Sequence, residues 1–527
     1  MEKCYNISKE GRKVAQTKST EENLWKACDK LRGSVEPAEY KHVVLSLVFL
    51  KYVSDTYEKQ REKLIAEGKE RFVDMSEFYA KDNVFYVPAE SRWSYIIANA
   101  KSPDISLKID SALKEIEKSN KSLKGALPDN YFSRLQIETS KLAALLDTIN
   151  NEDTLKGGSR DIIGHVYEYF LQKFAIKEGK GKGEFYTPKS IVNLIAELIE
   201  PYKGKIYDPC CGSGGMFIQS QKFVEAHQGN TKDIAVYGQE LTNTTYKLAK
   251  MNLAIRGLSA NLGDVAADTF SRDQHPDLKA DFIMANPPFN LKDWREENEL
   301  VDDPRWAGYD TPPTSNANYA WILHMLSKLS ENGTAGFLLA NGALSGDGVE
   351  KDIRKRLIEN DRIEAIMILP RNMFYHTDIS VTLWIMSKNK KARTVVDYSS
   401  SNNHERKLRD RTDEVLFMDL RQIGEPFEKK FIQFGQGDIE KIANTFHTWQ
   451  TDKDAYEDVA EYCYSAKKQE IKDKDYSLVP SKYIAFVDAD ENIDYAKEVG
   501  SLTTDIKKLL DEGEKLKINL LDAFKEF

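Results

Sequence analysis
Along the first 150 residues the apolar positions keep a helical period. Leu24, Ala27 and Leu31, then Val43, Val44, Leu47, Phe49, Leu50 and Val53, recur closer to every 3.6 residues than to every second one. Gly33–Pro37 predicts a break between two helices, and further helices are expected at Ile105–Glu117 and Leu135–Asn150. Asn151–Arg160, with its Gly157-Gly158 pair, marks a domain boundary. Beyond it Asp161–Phe174 predicts an apolar, aromatic helix leading to the basic, glycine-rich loop Lys177–Lys182. The pattern then changes. Short apolar runs at Lys205–Asp208, Ile234–Gln239, a stretch closing at Gly263-Asp264, Phe282–Ala285, Gly336–Ala340, Ile363–Leu369 and Val381–Ser387 read as strands. They alternate with helical patterns at Ile191–Glu200, from Met216, at Tyr319–Leu329 and at Glu350–Glu359. That alternation predicts an α/β domain around a parallel sheet. After about Asn389 it degrades into charged stretches such as Asn402–Asp413 and a mixed region, Val415–Asp488. Asp494–Phe527 is amphipathic: Leu502, Leu509, Leu516 and Ala523 fall seven apart, and Ile506, Leu520 and Phe527 form a second stripe interrupted by Gly513. It fits either a coiled coil with a partner or a surface helix of its own domain.

Composition narrows the class. Hydrophobic residues make up 41% and aromatics 10% of the 527 residues, enough for a folded core. No run approaches the roughly 20 apolar residues of a membrane span, and the polar start Met1–Tyr5 does not read as a signal peptide. Cys4, Cys28, Cys210, Cys211 and Cys463 make neither a disulfide framework nor a spaced metal site, and the eight histidines are scattered. The expectation is a cytosolic protein without a structural metal.

The candidate chemistry concentrates at Ala280–Asn290, Ala-Asp-Phe-Ile-Met-Ala-Asn-Pro-Pro-Phe-Asn. A buried strand ends there in two prolines, which cannot continue a central strand because they lack N–H donors and fix φ. The chain must leave the sheet at its carboxyl edge, where open α/β sheets bind ligands. Asn286, Pro287, Pro288 and Phe289 bring an amide, a prolyl carbonyl and an aromatic ring to that edge. The set suits methylation of an exocyclic amino group. The Asn286 side-chain oxygen and the Pro287 carbonyl can each accept one N–H of an adenine or cytosine amino group, turning its lone pair toward an electrophilic methyl. Phe289 can stack on a base drawn out of its helix. Holding nitrogen and methyl in line can supply roughly 7–11 kcal/mol of the barrier. The alternative is a plain strand-to-loop turn in which Asn286 bonds backbone.

Upstream, Gly183-Glu184-Phe185-Tyr186-Thr187-Pro188-Lys189 leads into a helix, with Thr187 expected at the N-cap and Pro188 at the first helical position. It is either a helix start only or part of a ligand site. Lys205–Asp208 runs into Pro209-Cys210-Cys211-Gly212-Ser213-Gly214-Gly215 and a helix. A strand, a glycine turn and a helix start give close backbone approach and free N–H groups. It is not the dinucleotide fingerprint, because Phe217 fills the third glycine position. Glu240, closing the second strand, is placed for ribose hydroxyls, and Asp264 for an adenine amino group. Cys210 and Cys211 read as packing residues. The loop Leu291–Asn318, with Trp294, Trp306, Tyr309 and Pro312-Pro313, is expected to be a lid over the target base or a surface ornament. Asn372–Tyr375 is expected to supply a second aromatic wall or core packing. His42 and Trp25 read as core or helix-surface residues of a docking or DNA-covering module.

Together these residues resemble the modification (methyltransferase) subunits of type I restriction-modification systems. The resemblance rests on Leu24–Asp55, Gly183–Lys189, Asp208–Gly215, Asn286–Phe289, Tyr319–Trp321 and Leu369–Tyr375, and so covers most of the chain. The motif order, Phe-Tyr-Thr-Pro before the glycine turn and Asn-Pro-Pro-Phe after it, is similar to the gamma class of amino-methyltransferases. Cys210 and Cys211 stand where alanine is common in that family. The resemblance implies an α/β fold with a Rossmann-like S-adenosylmethionine-dependent methyltransferase sheet. It implies an all-helical amino-terminal domain (1–155), a catalytic domain (156–400), a mixed α/β extension (401–490) and a carboxyl-terminal amphipathic docking helix (491–527).

It further implies S-adenosylmethionine as methyl donor and N6 of adenine in double-stranded DNA as acceptor. The target site would be chosen by a separate specificity subunit, two modification subunits to each, with an optional restriction subunit, in a bacterial or archaeal cytoplasm. By the same carry-over Glu184, Phe185, Tyr186, Thr187, Pro188, Lys189, Asp208, Gly212, Ser213, Gly214, Gly215, Glu240 and Asp264 line or adjoin the cofactor site. Asn286, Pro287, Pro288 and Phe289 hold the flipped adenine, Phe374 is a second stacking ring, and no metal takes part. A net charge of −9 fits a chain whose DNA recognition is delegated, since duplex affinity rests mainly on Lys and Arg at phosphates. Two rivals remain. A methyltransferase for glutamine side chains or ribosomal RNA is disfavoured by the long helical region and Phe289, and a scaffold that only positions DNA by the intact Asn286 and glycine turn.

Overall fold
The computed structural model describes residues 25, 37–82, 84–151, 161–178, 186–227, 229–375, 377–397, 404–428, 430–487 and 495–525. The linker 152–160, most of the expected first helix and the site candidates Glu184 and Phe185 lie outside them. The second of the two expected amino-terminal helices is Pro37–Ala66, and every residue from Val43 to Leu50 is buried. A helix apolar on all sides belongs inside a core. Around it pack the helices Thr139–Asn150, Asp161–Glu178 and Asn243–Ile255. The core they share includes Leu248, Met251 and Ile255 of the last of these. The single helix expected at Leu135–Asn150 is two, Tyr131–Leu135 and Thr139–Asn150, because Gln136 between them takes a left-handed φ of +50°. The amphipathic end forms one helix, Tyr495–Lys525, on which Leu502, Ile506, Leu509 and Leu516 are exposed. No helix among the described residues is long and apolar enough to cross a membrane.

The strands, in chain order, begin with β1 Gly204–Asp208, β2 Ile234–Gly238, β3 Ala260–Asn261, β4 Ala280–Ala285 and β5 Leu329–Ala340. They continue with β6 Ile363–Ile368, β7 Val381–Ser387, β8 Arg393–Asp397, β9 His404–Leu408 and β10 Glu414–Asp419. The last are β11 Glu425–Phe427, β12 Phe431–Gln433 and β13 Cys463–Lys467. β8 with β9 and β11 with β12 are separate two-stranded ribbons; the rest form one sheet in the order β13-β10-β6-β7-β5-β4-β1-β2-β3. β3, β2, β1, β4 and β5 run parallel, β7 is antiparallel to both β5 and β6, β10 is parallel to β6, and β13 is antiparallel to β10. Val381–Ser387 is therefore not the last strand of the sheet, which the fully buried β10 carries further. Successive residues face opposite sides: Tyr207 and Ile283 join one core with Trp321 and Trp384, while Ile206 and Met284 turn the other way. The helices Lys189–Ile199 and Asn318–Lys328 lie against β5 from the two faces.

Two local expectations are corrected. The helix after Thr187 starts at Lys189, with Pro188 as its N-cap and no side-chain cap bond. Pro188 (φ −56°, ψ 137°) holds the chain extended, so Thr187 lies too early to cap, and a contribution of about 1 kcal/mol is forgone. β3 is only two residues long and stops short of Gly263, which turns the chain at φ +78° before Asp264. The loop after Phe289 is tied down along its length. Ala317 N–H donates to the Leu291 carbonyl (2.9 Å), Trp294 Nε1 to Pro313 (2.8 Å) and Trp306 Nε1 to Leu300 (2.7 Å), and Arg305 donates to the carbonyls of Thr269 (3.0 Å) and Phe270 (2.7 Å). Its ends are held together, with Trp306 buried and Trp294 half-buried against the domain core.

Charge is buried near the amino end of β6. Arg411 Nε donates to Glu364 Oε1 at 2.8 Å, with the two side chains 0% and 1% exposed, and Gln450 Nε2 donates to the same oxygen at 2.9 Å. Lys390 is buried beside them, its ammonium pushed down by burial to about 8 against the pull of Glu364.

Candidate active site
Strand order reverses between β1 and β4: the chain goes from β1 outward to β2 and β3, then crosses back to β4 and β5. Open α/β sheets form their ligand crevice outside the carboxyl ends at such a point. The ends of β1 and β4 carry Asp208 with the glycine turn and Asn286-Pro287-Pro288-Phe289.

The turn needs its glycines. Gly212 and Gly214 take φ of +52° and +81°, and Gly214 caps the helix Gly215–Ala226 in the left-handed conformation. A Cβ at Gly212 or Gly215 would meet nothing within 4 Å, so the backbone faces open space. The turn is held from three sides. Asn252 Nδ2 donates to the Ser213 carbonyl (2.7 Å), Thr269 Oγ1 to that of Pro209 (2.6 Å), and Cys211 N–H to that of Gln239 (2.9 Å).

Glu240 reaches across to it, accepting from Gly212 N–H (3.1 Å) on one oxygen and from Thr242 N–H (2.8 Å) on the other. Asp208, 2% exposed, accepts from Cys210 N–H at 3.0 Å. Burial pushes its carboxyl up to about 7, and the charge of Glu240 adds to the rise. Burial also raises the thiols of Cys210 and Cys211 well above their usual range, leaving them neutral packing groups. Asp264 is exposed on the turn after β3, its N–H donating to Gln274 Oε1 (2.9 Å), and Ala267 N–H ties that segment to the Glu240 carbonyl (2.9 Å).

On the other side of the crevice Asn286 is 8% exposed. Its Nδ2 donates to Thr187 Oγ1 at 3.0 Å, and its Oδ1 is buried with no hydrogen-bond partner among the described residues. It does not bond backbone as a mere turn residue would. Pro287 is buried beneath it. Phe289, half-buried, meets Phe374 edge to face at 6.1 Å, and Phe374 is only 1% exposed, so in this structure Phe374 backs Phe289 from the core. Tyr186 stacks on Tyr375 (5.9 Å, 14°), whose hydroxyl accepts from Gln172 Nε2 at 2.7 Å. Lys189 is exposed at the start of its helix. The described candidates thus gather at one sheet edge, the glycine turn, Glu240 and Asp208 on the β1–β2 side and Thr187 with Asn286 on the β4 side.

Sequence reasoning missed the braces. Asn252, Gln239 and Thr269 hold the glycine turn, and Asn318 exchanges two hydrogen bonds with Asn290 (2.9 and 3.1 Å) where the chain leaves Phe289. One signal was available: Asn252 is a polar residue on the apolar stripe of its helix, between Ala249 and Leu253, and a buried amide needs partners.

Comparison with known proteins gives a consistent result. The family described as N-6 DNA Methylase matches residues 158–492, and the HsdM N-terminal domain matches residues 20–149. The type I restriction enzyme HindI methylase subunit of Haemophilus influenzae is 42% identical over 457 residues, 82% of this chain and 98% of that one. The MjaIX methylase subunit of Methanocaldococcus jannaschii is 34% identical over 95% of this chain and 90% of its own. Among solved structures, the type I restriction-modification methyltransferase subunit from Streptococcus thermophilus superposes with a TM-score of 0.72 at 24% identity, covering 89% of this chain and 99% of that one. This last likeness supports the fold.

Proposed function
The chain belongs to the N-6 DNA methylases, as a methylase subunit of the type I restriction enzymes, and from that premise we propose that it methylates N6 of an adenine flipped out of duplex DNA. The methyl donor in this reading is S-adenosylmethionine, and a separate specificity subunit selects the site. The observation that carries it is the Asn286 oxygen, buried and without a partner among the described residues at the strand reversal. An unpaired buried acceptor costs about 1–3 kcal/mol; an amino group docking there removes that cost.

The residues fit the donor. Open space at Gly212 and Gly215 admits a ligand against the backbone, and two acids, Asp208 and Glu240, suit a ligand bearing positive charge. When bound, the donor supplies an electrophilic methyl on sulfur. Asn286 and the Pro287 carbonyl would hold the two N–H bonds of the adenine amino group, and Phe289, braced by Phe374, would stack on the base. The amino nitrogen would take the methyl as the methyl's bond to the donor sulfur breaks, and would release one proton to solvent.

The direct test is to purify the chain from its native cells with whatever subunits accompany it. It is then supplied with methyl-labelled donor and unmodified duplex DNA. Label recovered as N6-methyladenine only when a co-purifying subunit is present is expected; label on protein or RNA with DNA unlabelled would overturn the reading.

Asp208 adds a pH dependence. Its folded carboxyl is raised toward 7, so its contribution to stability is present below the ordinary carboxylate range and is lost as pH rises through about 7. A cationic ligand prefers the ionised form. Donor affinity should therefore strengthen by up to about tenfold per pH unit between pH 5.5 and 7, then level off. Calorimetric titration across that range checks it, and Asp208→Asn should flatten the profile.

A further inference from the structure
An asparagine amide is nearly symmetric in shape and opposite in hydrogen-bonding sense at its two ends. At the target amino group only the oxygen is useful, because an NH₂ turned toward an amino group sets donor against donor. With the oxygen on the base, the nitrogen end of Asn286 needs an acceptor of its own. Its neighbour in the structure is Thr187, which arrives from a different element. Asn286 follows β4, whereas Thr187 precedes the helix Lys189–Ile199, and Asn286 Nδ2 donates to Thr187 Oγ1 at 3.0 Å while Oδ1 stays unpaired. The hydroxyl does not cap the helix it precedes. Asn286 is more than nine-tenths buried, so no bulk water substitutes for the hydroxyl.

We propose that Thr187 is a positioning residue for methyl transfer: its Oγ1 accepts from the amide nitrogen of Asn286, so that the orientation with the amide oxygen toward the adenine amino group leaves no donor unpaired. The inference rests on the adenine-N6 reading and gives the Thr-Pro motif a duty toward the base besides lining the cofactor site. With the oxygen on N6 and the nitrogen on Thr187, both ends of the amide are satisfied together. Without Oγ1, that same orientation leaves a buried donor unpaired. The loss falls on the step in which the amino nitrogen becomes more positive and its N–H bonds stronger donors, not on donor binding.

The experiment compares wild type, Thr187→Val, Thr187→Ser and Asn286→Ala, each as the full chain with its co-purifying subunits. It measures single-turnover methylation of unmodified duplex DNA and, separately, the Kd for S-adenosylmethionine. Thr187→Val should slow the methyl-transfer step about 10- to 100-fold, with donor Kd changed less than about twofold and thermal melting lowered by at most a few degrees. Thr187→Ser, which keeps the oxygen, should recover most of the rate. A donor Kd weakened tenfold with an unchanged transfer step would make Thr187 a cofactor ligand and overturn the proposal, as would a serine variant no faster than valine. Should the valine variant fail to fold, Thr187→Ala gives the same comparison without the branched methyl. Full activity in Asn286→Ala would instead overturn the adenine-N6 reading itself, whatever the Thr187 variants do.

Discussion

Asn286→Ala should lower methyl transfer by about 10²–10³-fold while leaving donor affinity within about twofold of wild type. The size follows from what is lost: a preorganised dipole aimed at a reacting group in a dry site, of the kind whose removal costs that much elsewhere. Donor binding should survive because the residues expected to meet the donor, Asp208, Glu240 and the glycine turn, are braced by Asn252, Thr269 and Gln239 and not by Asn286. The substitution also removes a buried amide that is satisfied only at one end, so the folded protein should lose little stability. Rate and calorimetric affinity measured on the same preparation separate the two effects. An alanine variant turning over at the wild-type rate, or one that no longer binds the donor, would contradict this division of labour.

Glu364→Ala should destabilise the fold by about 3–5 kcal/mol, since it strands Arg411 in the interior without its carboxylate partner. Lys390 adds to the loss, because the charge of Glu364 helps to hold its proton against burial. Glu364 is the second residue of β6, which runs parallel to β5, so it lies at the amino edge of the sheet, opposite Asn286. The methyl-transfer rate per folded molecule at low temperature should therefore be unchanged. Urea unfolding against activity in the same samples checks both halves; a stable but inactive variant would mean that the two edges communicate.

The parts of this protein that announce themselves in sequence are those whose chemistry is contiguous. Asn286-Pro287-Pro288-Phe289 and the turn from Asp208 to Gly215 each carry strand end, backbone constraint and functional group within a few residues, so proline and glycine physics alone put them at one edge. What contiguity cannot convey is partner choice over distance. Thr187 looks like a helix cap because capping is local, but its hydroxyl instead meets an amide 99 residues away. Thr269 and Asn252 brace the glycine turn across 60 and 39 residues. β10 escaped because Glu414 and Asp419 close its ends and charged stretches surround it, although all six of its residues are buried. The loop after Phe289 gave its composition but not its packing. Whether Trp294 and Trp306 point inward depends on Phe270 and Leu300 being there to receive them.

The core shared by the amino-terminal helices and the helix Asn243–Ile255 bears on how the gene can be divided. Leu248, Met251 and Ile255 are covered by the same apolar cluster that holds Val43–Leu50, together with Tyr167, Phe170 and Phe174. A fragment encoding only the part after the linker would keep Tyr167, Phe170 and Phe174 but lose Val43–Leu50, leaving part of that face in water, on the helix that begins three residues beyond Glu240. Domain swaps between relatives should therefore exchange the helix Asn243–Ile255 along with the amino-terminal segment.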